Sequence, residues 1–155
     1  MSCLCDCLVS ARECIELFAG IATSIGVGVA AWQLWLSGAQ ERTSFEDSLA
    51  REYRELSHAI PVSAHLGKPL PDSEVNESLD EFFHYFTLSN DQVFLRVRGR
   101  IRKSTWFDWS SGIRSNMAKP AFANAWRQIS EANPKSFVEL RQFLEEDSLQ
   151  DPKKW

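Results

Sequence analysis

Residues 17–40 read LFAGIATSIGVGVAAWQLWLSGAQ and hold no charged side chain, in a chain of which 25% is charged. At about 1.5 Å per residue, 17–36 as a helix reaches about 30 Å, the thickness of a bilayer's hydrocarbon core. A core helix would show one apolar stripe backed by charge; this run is uncharged all round, and Thr23, Ser24 and Gln33 are its few polar members. A secretory signal would start basic and end at a small-residue cleavage site. Here Asp6, Glu13 and Glu16 outweigh Arg12, and after Val29, Ala30 and Ala31 the run continues through Trp32, Leu34, Trp35 and Leu36. Ile21 stands where lipoprotein processing needs cysteine. The reading is an uncleaved single-pass helix.

The boundaries that follow are a cysteine-containing tail at 1–14, a transmembrane helix at 15–38, a helical soluble domain at 39–147 and a frayed tail at 148–155. Trp32 and Trp35 fit the interfacial belt as anchors. Arg42, Arg51 and Arg54 after the run, against Arg12 before it, put the large domain in the cytoplasm and the span in the inner membrane by the positive-inside rule. Small residues recur four apart as Gly20, Ser24 and Gly28 and as Ala22, Gly26 and Ala30, lines along which helices can approach closely and self-associate; a homo-oligomer is a candidate state.

Cys3, Cys5, Cys7 and Cys14 all precede the run. They lack the paired Cys-x-x-Cys spacing of zinc sites, so a tail of reactive thiols is expected rather than a metal site. Net charge is −4, which provides no global basic field for nucleic acid. Nine of the ten phenylalanines follow Gln40 and, with Trp106, Trp109 and Trp126, can fill a core.

The remainder reads as helices, making the fold all-α: a membrane helix continuing into a small helical bundle. Phe45, Leu49, Tyr53, Leu56 and Ile60 follow a helical period until Pro61, with Gly38 as the expected kink. Residues 61–72, with Pro61, Gly67, Pro69 and Pro71, read as a loop. Leu79, Phe82, Phe83 and Phe86 share a face, and Ser89 or Asn90 is positioned to cap a following helix. Pro120 suits a first helical turn ahead of Phe122, Trp126 and Ile129; Asn133 and Pro134 repeat that start ahead of Phe137, Leu140, Phe143 and Leu144. From Val93 to Arg102 the pattern alternates like a strand, yet no second strand is found to pair with it, so a helix to about Arg98 with Gly99 as terminator is expected.

The pattern Phe86-Thr-Leu-Ser-Asn-Asp-Gln-Val-Phe-Leu, then Gly99-Arg-Ile, Trp106-Phe-Asp-Trp, Ser-Ser-Gly112-Ile, Pro120-Ala-Phe and Ala125-Trp resembles that of small bacterial single-pass membrane-anchored helical proteins. The resemblance covers about half the chain and rests on aromatic and glycine positions. It implies a bacterial, all-helical, single-pass protein and transfers no catalytic residue.

Arg96, Arg98, Arg100, Arg102 and Lys103 form the dense basic cluster, a candidate contact for anionic lipid or a partner, with nucleic acid disfavoured. The plainer alternative is a solvated face paired with the acidic segment 74–81, with Trp106 and Trp109 in the core. Glu81 and His84 have the spacing of a helical di-iron carboxylate site but lack the second pair such sites need. No serine sits in a nucleophile elbow and no Gly-rich phosphate loop occurs. Neither catalytic residues, a metal nor a cofactor is expected. The sequence therefore favours a membrane-tethered, non-enzymatic interaction module with the bilayer and an unknown cytoplasmic protein as partners. The alternative is a membrane-perturbing effector of a bacterial toxin or phage-defence system that oligomerises through its apolar helix.

Overall fold

The computed structural model describes residues 2–145 and 150–155; for 2–19 and 21 it describes the backbone alone. All regular structure among them is helical: α1 (Ser2–Ala59), α2 (Val62–His65), α3 (Asp72–Glu77), α4 (Leu79–Val97), α5 (Lys103–Met117), α6 (Pro120–Ala132), α7 (Val138–Glu145) and a 3₁₀ turn at Pro152–Lys154. The all-α expectation holds. The chain divides into two compact units, one up to Thr43 and the other Ser44–Trp155.

In the first unit α1 is helical straight through Gly38. The segment expected as a cysteine-containing tail is helical in its backbone from Ser2 on, as the start of α1, while the side chains of its cysteines, and those of 15–19 and 21 in the expected span, lie outside the described residues. Among the described residues no helix is long and apolar enough to cross a membrane. What remains of the run is diluted by glycine, Thr23, Ser24 and Gln33.

The second unit, Ser44–Trp155, is built around aromatic rings. Phe82, Tyr85 and Phe86 on α4 and Phe122 on α6 are fully buried. The Phe122 ring stands edge-on to Phe82 and to Tyr85, each at 5.1 Å between centroids. Trp126 meets Phe86 at 5.1 Å and Phe137 at 5.6 Å, again edge-on, the arrangement that ring quadrupoles favour. Phe45, Leu49 and Tyr53 of α1 pack against this core and Ile60 is buried in it, as their spacing predicts. The loop expected at 61–72 contains two short helical starts, because Pro61 and Pro71 each preset the turn that follows them.

Helix α4 ends as its sequence requires. Gly99 has φ +69°, its N–H donates to the Arg96 carbonyl at 2.9 Å and the Arg100 N–H to the Leu95 carbonyl at 2.9 Å, a Schellman closure that relies on glycine's freedom. The strand-like alternation is thus helix followed by turn.

Three local expectations change. Ser89 and Asn90 start no helix; α4 runs through them because Ser89 is buried with its hydroxyl donating to the Tyr85 carbonyl at 2.9 Å. Asn90 caps a different helix, its Oδ1 accepting from Leu140 N–H in the first turn of α7 at 3.1 Å. Asn133 and Pro134 open a turn and α7 begins only at Val138, because Arg141 donates to the carbonyls of Ser130, Asn133 and Ser136, fixing that turn, while Phe137 takes φ 58°. The C-terminal end is not frayed from Asp151 onward: Pro152 is buried and the 3₁₀ turn packs on α4. Residues 146–149 lie outside the described set.

Phe122 has the most to lose. Phe122→Ala is expected to destabilise by about 3–5 kcal/mol in denaturant unfolding, whereas Phe107→Ala, at a 73% exposed ring, should change stability by about 0.5 kcal/mol or less.

Candidate functional site

Two surfaces collect the residues that the sequence singles out. The first is the described part of the apolar run. Ile25, Val27, Val29, Trp32, Leu34, Trp35 and Leu36 are exposed, from 43% at Leu36 to 75% at Leu34. Trp32 and Trp35 lie together with ring centroids 5.5 Å apart, leaving two indoles on one side of the helix. Gly20, Ala22, Ser24, Gly26, Gly28 and Ala30 are exposed as well. A Cβ built on Gly20, Gly26 or Gly28 would meet nothing within 4 Å, so packing within the chain does not require glycine there. Ser24 donates to the Gly20 carbonyl at 2.8 Å, which satisfies its hydroxyl within the helix.

The second surface is the basic segment after α4, and here the structure splits the expected cluster. Arg96 is buried, which removes it from any lipid or partner contact. Its guanidinium makes a two-pronged bond to the Asp151 carboxylate, Nε to Oδ1 at 2.7 Å and a shorter contact to Oδ2, and also donates to the Ile101 carbonyl at 2.6 Å. Arg102 is half-exposed but bound: Nε donates to Glu46 at 2.8 Å and its backbone N–H at 2.7 Å, while Thr105 Oγ1 donates to the same carboxylate at 2.7 Å. Arg102 precedes the first residue of α5, so Glu46 supplies a capping acceptor to that helix from α1. The partners of these cations are Asp151 and Glu46, not the acidic segment 74–81. Arg98 lies over the Phe94 ring at 5.2 Å and Arg100 over Phe45 at 5.7 Å, both exposed; with Lys103 they are what is left of the patch. Trp106 is buried and Trp109 half-buried, so neither is a free stacking platform.

Sequence reading missed Glu46 and Asp151. Burial pushes the Glu46 carboxyl up, but the bonds from Arg102 and Thr105 and the Arg102 charge outweigh it and leave the group below its ordinary value. At Asp151 the Arg96 guanidinium does most of the lowering, burial opposes it, and the Lys153 N–H and the charges of Arg96 and Lys103 add to the lowering. A signal for Glu46 did exist: an acid three residues before Leu49 and seven before Tyr53 lies on the helix face that packs inward. Nothing in the sequence marks Asp151, whose role depends on where the chain end lands.

Asn116 is the other buried polar node. It donates to the Tyr85 hydroxyl at 3.0 Å and to the Tyr53 hydroxyl at 3.3 Å, and accepts from Lys119 at 2.7 Å. Burial pushes the Tyr85 phenol up to about 12, so it stays neutral across physiological pH. His65 bonds the Ser57 carbonyl at 3.0 Å and sets its ring against Phe122. Among the described residues, no three or more His, Cys, Asp or Glu side chains gather to hold a metal ion. Compared with family models, curated proteins and solved structures, the chain matches none of them.

Two outcomes follow. Asp151→Ala strands a buried guanidinium and should cost about 3 kcal/mol in denaturant unfolding. Glu46 and Asp151 both have lowered folded values, so their stabilisation is complete above their unfolded pKa, near 4, and is lost as pH falls through the folded values. Thermal melts should therefore drop on acidification below about pH 4, and Glu46→Gln with Asp151→Asn should flatten that drop.

Proposed function

We propose that the protein is a membrane-tethered, non-enzymatic helical interaction module. Residues 17–36 of α1 sit in the bilayer, and Ser44–Trp155 offers its surface to a protein partner on the cytoplasmic side. The observation that carries this reading is the exposure of Ile25, Val27, Val29, Trp32, Leu34, Trp35 and Leu36. Apolar area of that extent is unfavourable in water and calls for an apolar surrounding. Leu17, Phe18, Ala19 and Ile21, whose side chains lie outside the described residues, complete the length a bilayer needs. The exposed indoles of Trp32 and Trp35 suit headgroup depth. Arg42, Arg51 and Arg54 just beyond them favour retention on the cytoplasmic face. The exposed cations Arg98, Arg100 and Lys103 supply a surface for anionic headgroups or an acidic partner.

The full chain expressed in bacteria should pellet with membranes and resist alkaline carbonate. Val27→Arg together with Val29→Arg should release it, since each arginine at mid-span costs about 2.5–3.5 kcal/mol. Recovery of the unaltered chain in the carbonate supernatant contradicts the tether.

A second reading draws on one observation, the open space around Gly20, Gly26 and Gly28. We infer that those positions let spans of several copies approach closely, as a membrane-perturbing effector requires. On that reading, expression depolarises cells in a membrane-potential dye assay and Gly26→Leu with Gly28→Leu restores polarisation. Cells that accumulate the protein and stay polarised exclude it and leave the module.

A further inference from the structure

The turn that closes α4 gathers positive charge from two distant parts of the chain. Gly99 takes φ +69°, and a Cβ built on it would lie 3.2 Å from Lys153 Cε and 3.5 Å from its Nζ. The lysine stem thus lies on the turn that Arg98 and Arg100 flank in sequence. The chain end brings it there: the Asp151 carboxylate holds Arg96 through both oxygens, Pro152 is buried, and the 3₁₀ turn packs on α4. Lys103 stands close enough to Asp151 for its charge to act there.

These cations differ from Arg96 and Arg102 in what holds them. Arg96 and Arg102 are each matched by a carboxylate. Arg98, Arg100, Lys103 and Lys153 are exposed, and none forms an ion pair among the described residues. What positions three of them carries no charge: the Phe94 ring under Arg98, the Phe45 ring under Arg100, and the Gly99 turn under Lys153. A ring face braces a guanidinium without neutralising it. Like charges gathered at one turn repel each other, and an anion placed among them removes that cost. A chain of net charge −4 therefore keeps unmatched cations together in one place.

The number of cations selects the anion. A carboxylate or a phosphodiester brings one charge. A phosphomonoester brings about −1.5 to −2 near neutral pH, with three acceptor oxygens. One such group can match two cations and accept N–H bonds from several. The arginine fork fits phosphate geometry, and lysine adds a point charge.

We propose that Arg98, Arg100 and Lys153 around Gly99, with Lys103 beside them, form a site for a phosphomonoester, supplied as a lipid headgroup such as that of phosphatidate or as a free ester. This deepens the reading of the exposed basic surface given above, and it rests on the bilayer tether only where lipid is the source.

The test uses the full chain labelled with ¹⁵N-glycine in zwitterionic detergent micelles, where the Gly99 amide reports on the site and Gly67 is the internal reference. The probes are free glycerol phosphate and phosphatidate mixed into the micelles. Movement of the Gly99 signal with either probe, while Gly67 stays, supports the site. Response to phosphatidate alone makes lipid the source, and response to both assigns the phosphate group itself. Phosphatidylglycerol, a diester, should bind about tenfold more weakly. Lys153→Gln should also weaken binding about tenfold, whereas Lys154→Gln, which removes the same charge one residue away, should change it by less than about twofold. Arg98→Gln with Arg100→Gln should abolish the response in samples whose thermal melts show intact folding; if that pair fails to fold, the comparison of Lys153 with Lys154 decides. A Gly99 signal that moves with neither probe overturns the proposal and leaves the outcome of carbonate extraction untouched. Equal losses from Lys153→Gln and Lys154→Gln, or phosphatidylglycerol binding as tightly as phosphatidate, reveal a diffuse basic surface and overturn it too.

Discussion

An apolar helix surface must find apolar cover, and α1 meets that constraint along only one part of its length. From Phe45 to Ile60 its large apolar side chains pack on the aromatic core or sit within it. From Ile25 to Leu36 they are exposed on every side of the helix. One helix thus carries two kinds of surface: one completed by the fold, the other left for a different surrounding. Lipid is the surrounding we propose, because the uncharged run has about the right length and ends in indoles followed by arginines.

The completed part owes its order to polar groups as much as to rings. Edge-on aromatic contacts fill the interior, but it is Glu46 that ties α1 to the start of α5, Asp151 that ties the chain end to α4, and Asn90 that caps α7 from α4. Each joins residues about fifty apart in sequence or more. Together they turn two of the five clustered cations into internal ties. What reaches solvent unencumbered is a smaller patch of Arg98, Arg100 and Lys103, which narrows the surface available to a partner.

How much of this was legible follows from the range of each signal. The helical period of Phe45, Leu49 and Tyr53, the proline before α6 and the Gly99 stop are local, and each appears where its neighbours dictate. The start of α7 was misplaced by four residues from Pro134 to Val138, because Arg141 fixes the preceding turn through carbonyls spread over Ser130 to Ser136. Arg96 looked like its four neighbours, and only the return of Asp151 beside it makes it an internal group. The small residues of the run were legible as a pattern, and the open space around its glycines gives that pattern a reason to be tested.

The most direct measurement of the central claim is the depth of Trp32 and Trp35 in reconstituted vesicles, read by fluorescence quenching with lipids brominated near the headgroup. The account predicts strong quenching by bromine that falls sharply when both residues are phenylalanine. Equal quenching in the unaltered and doubly substituted chains, with both bound to the vesicles, would contradict it.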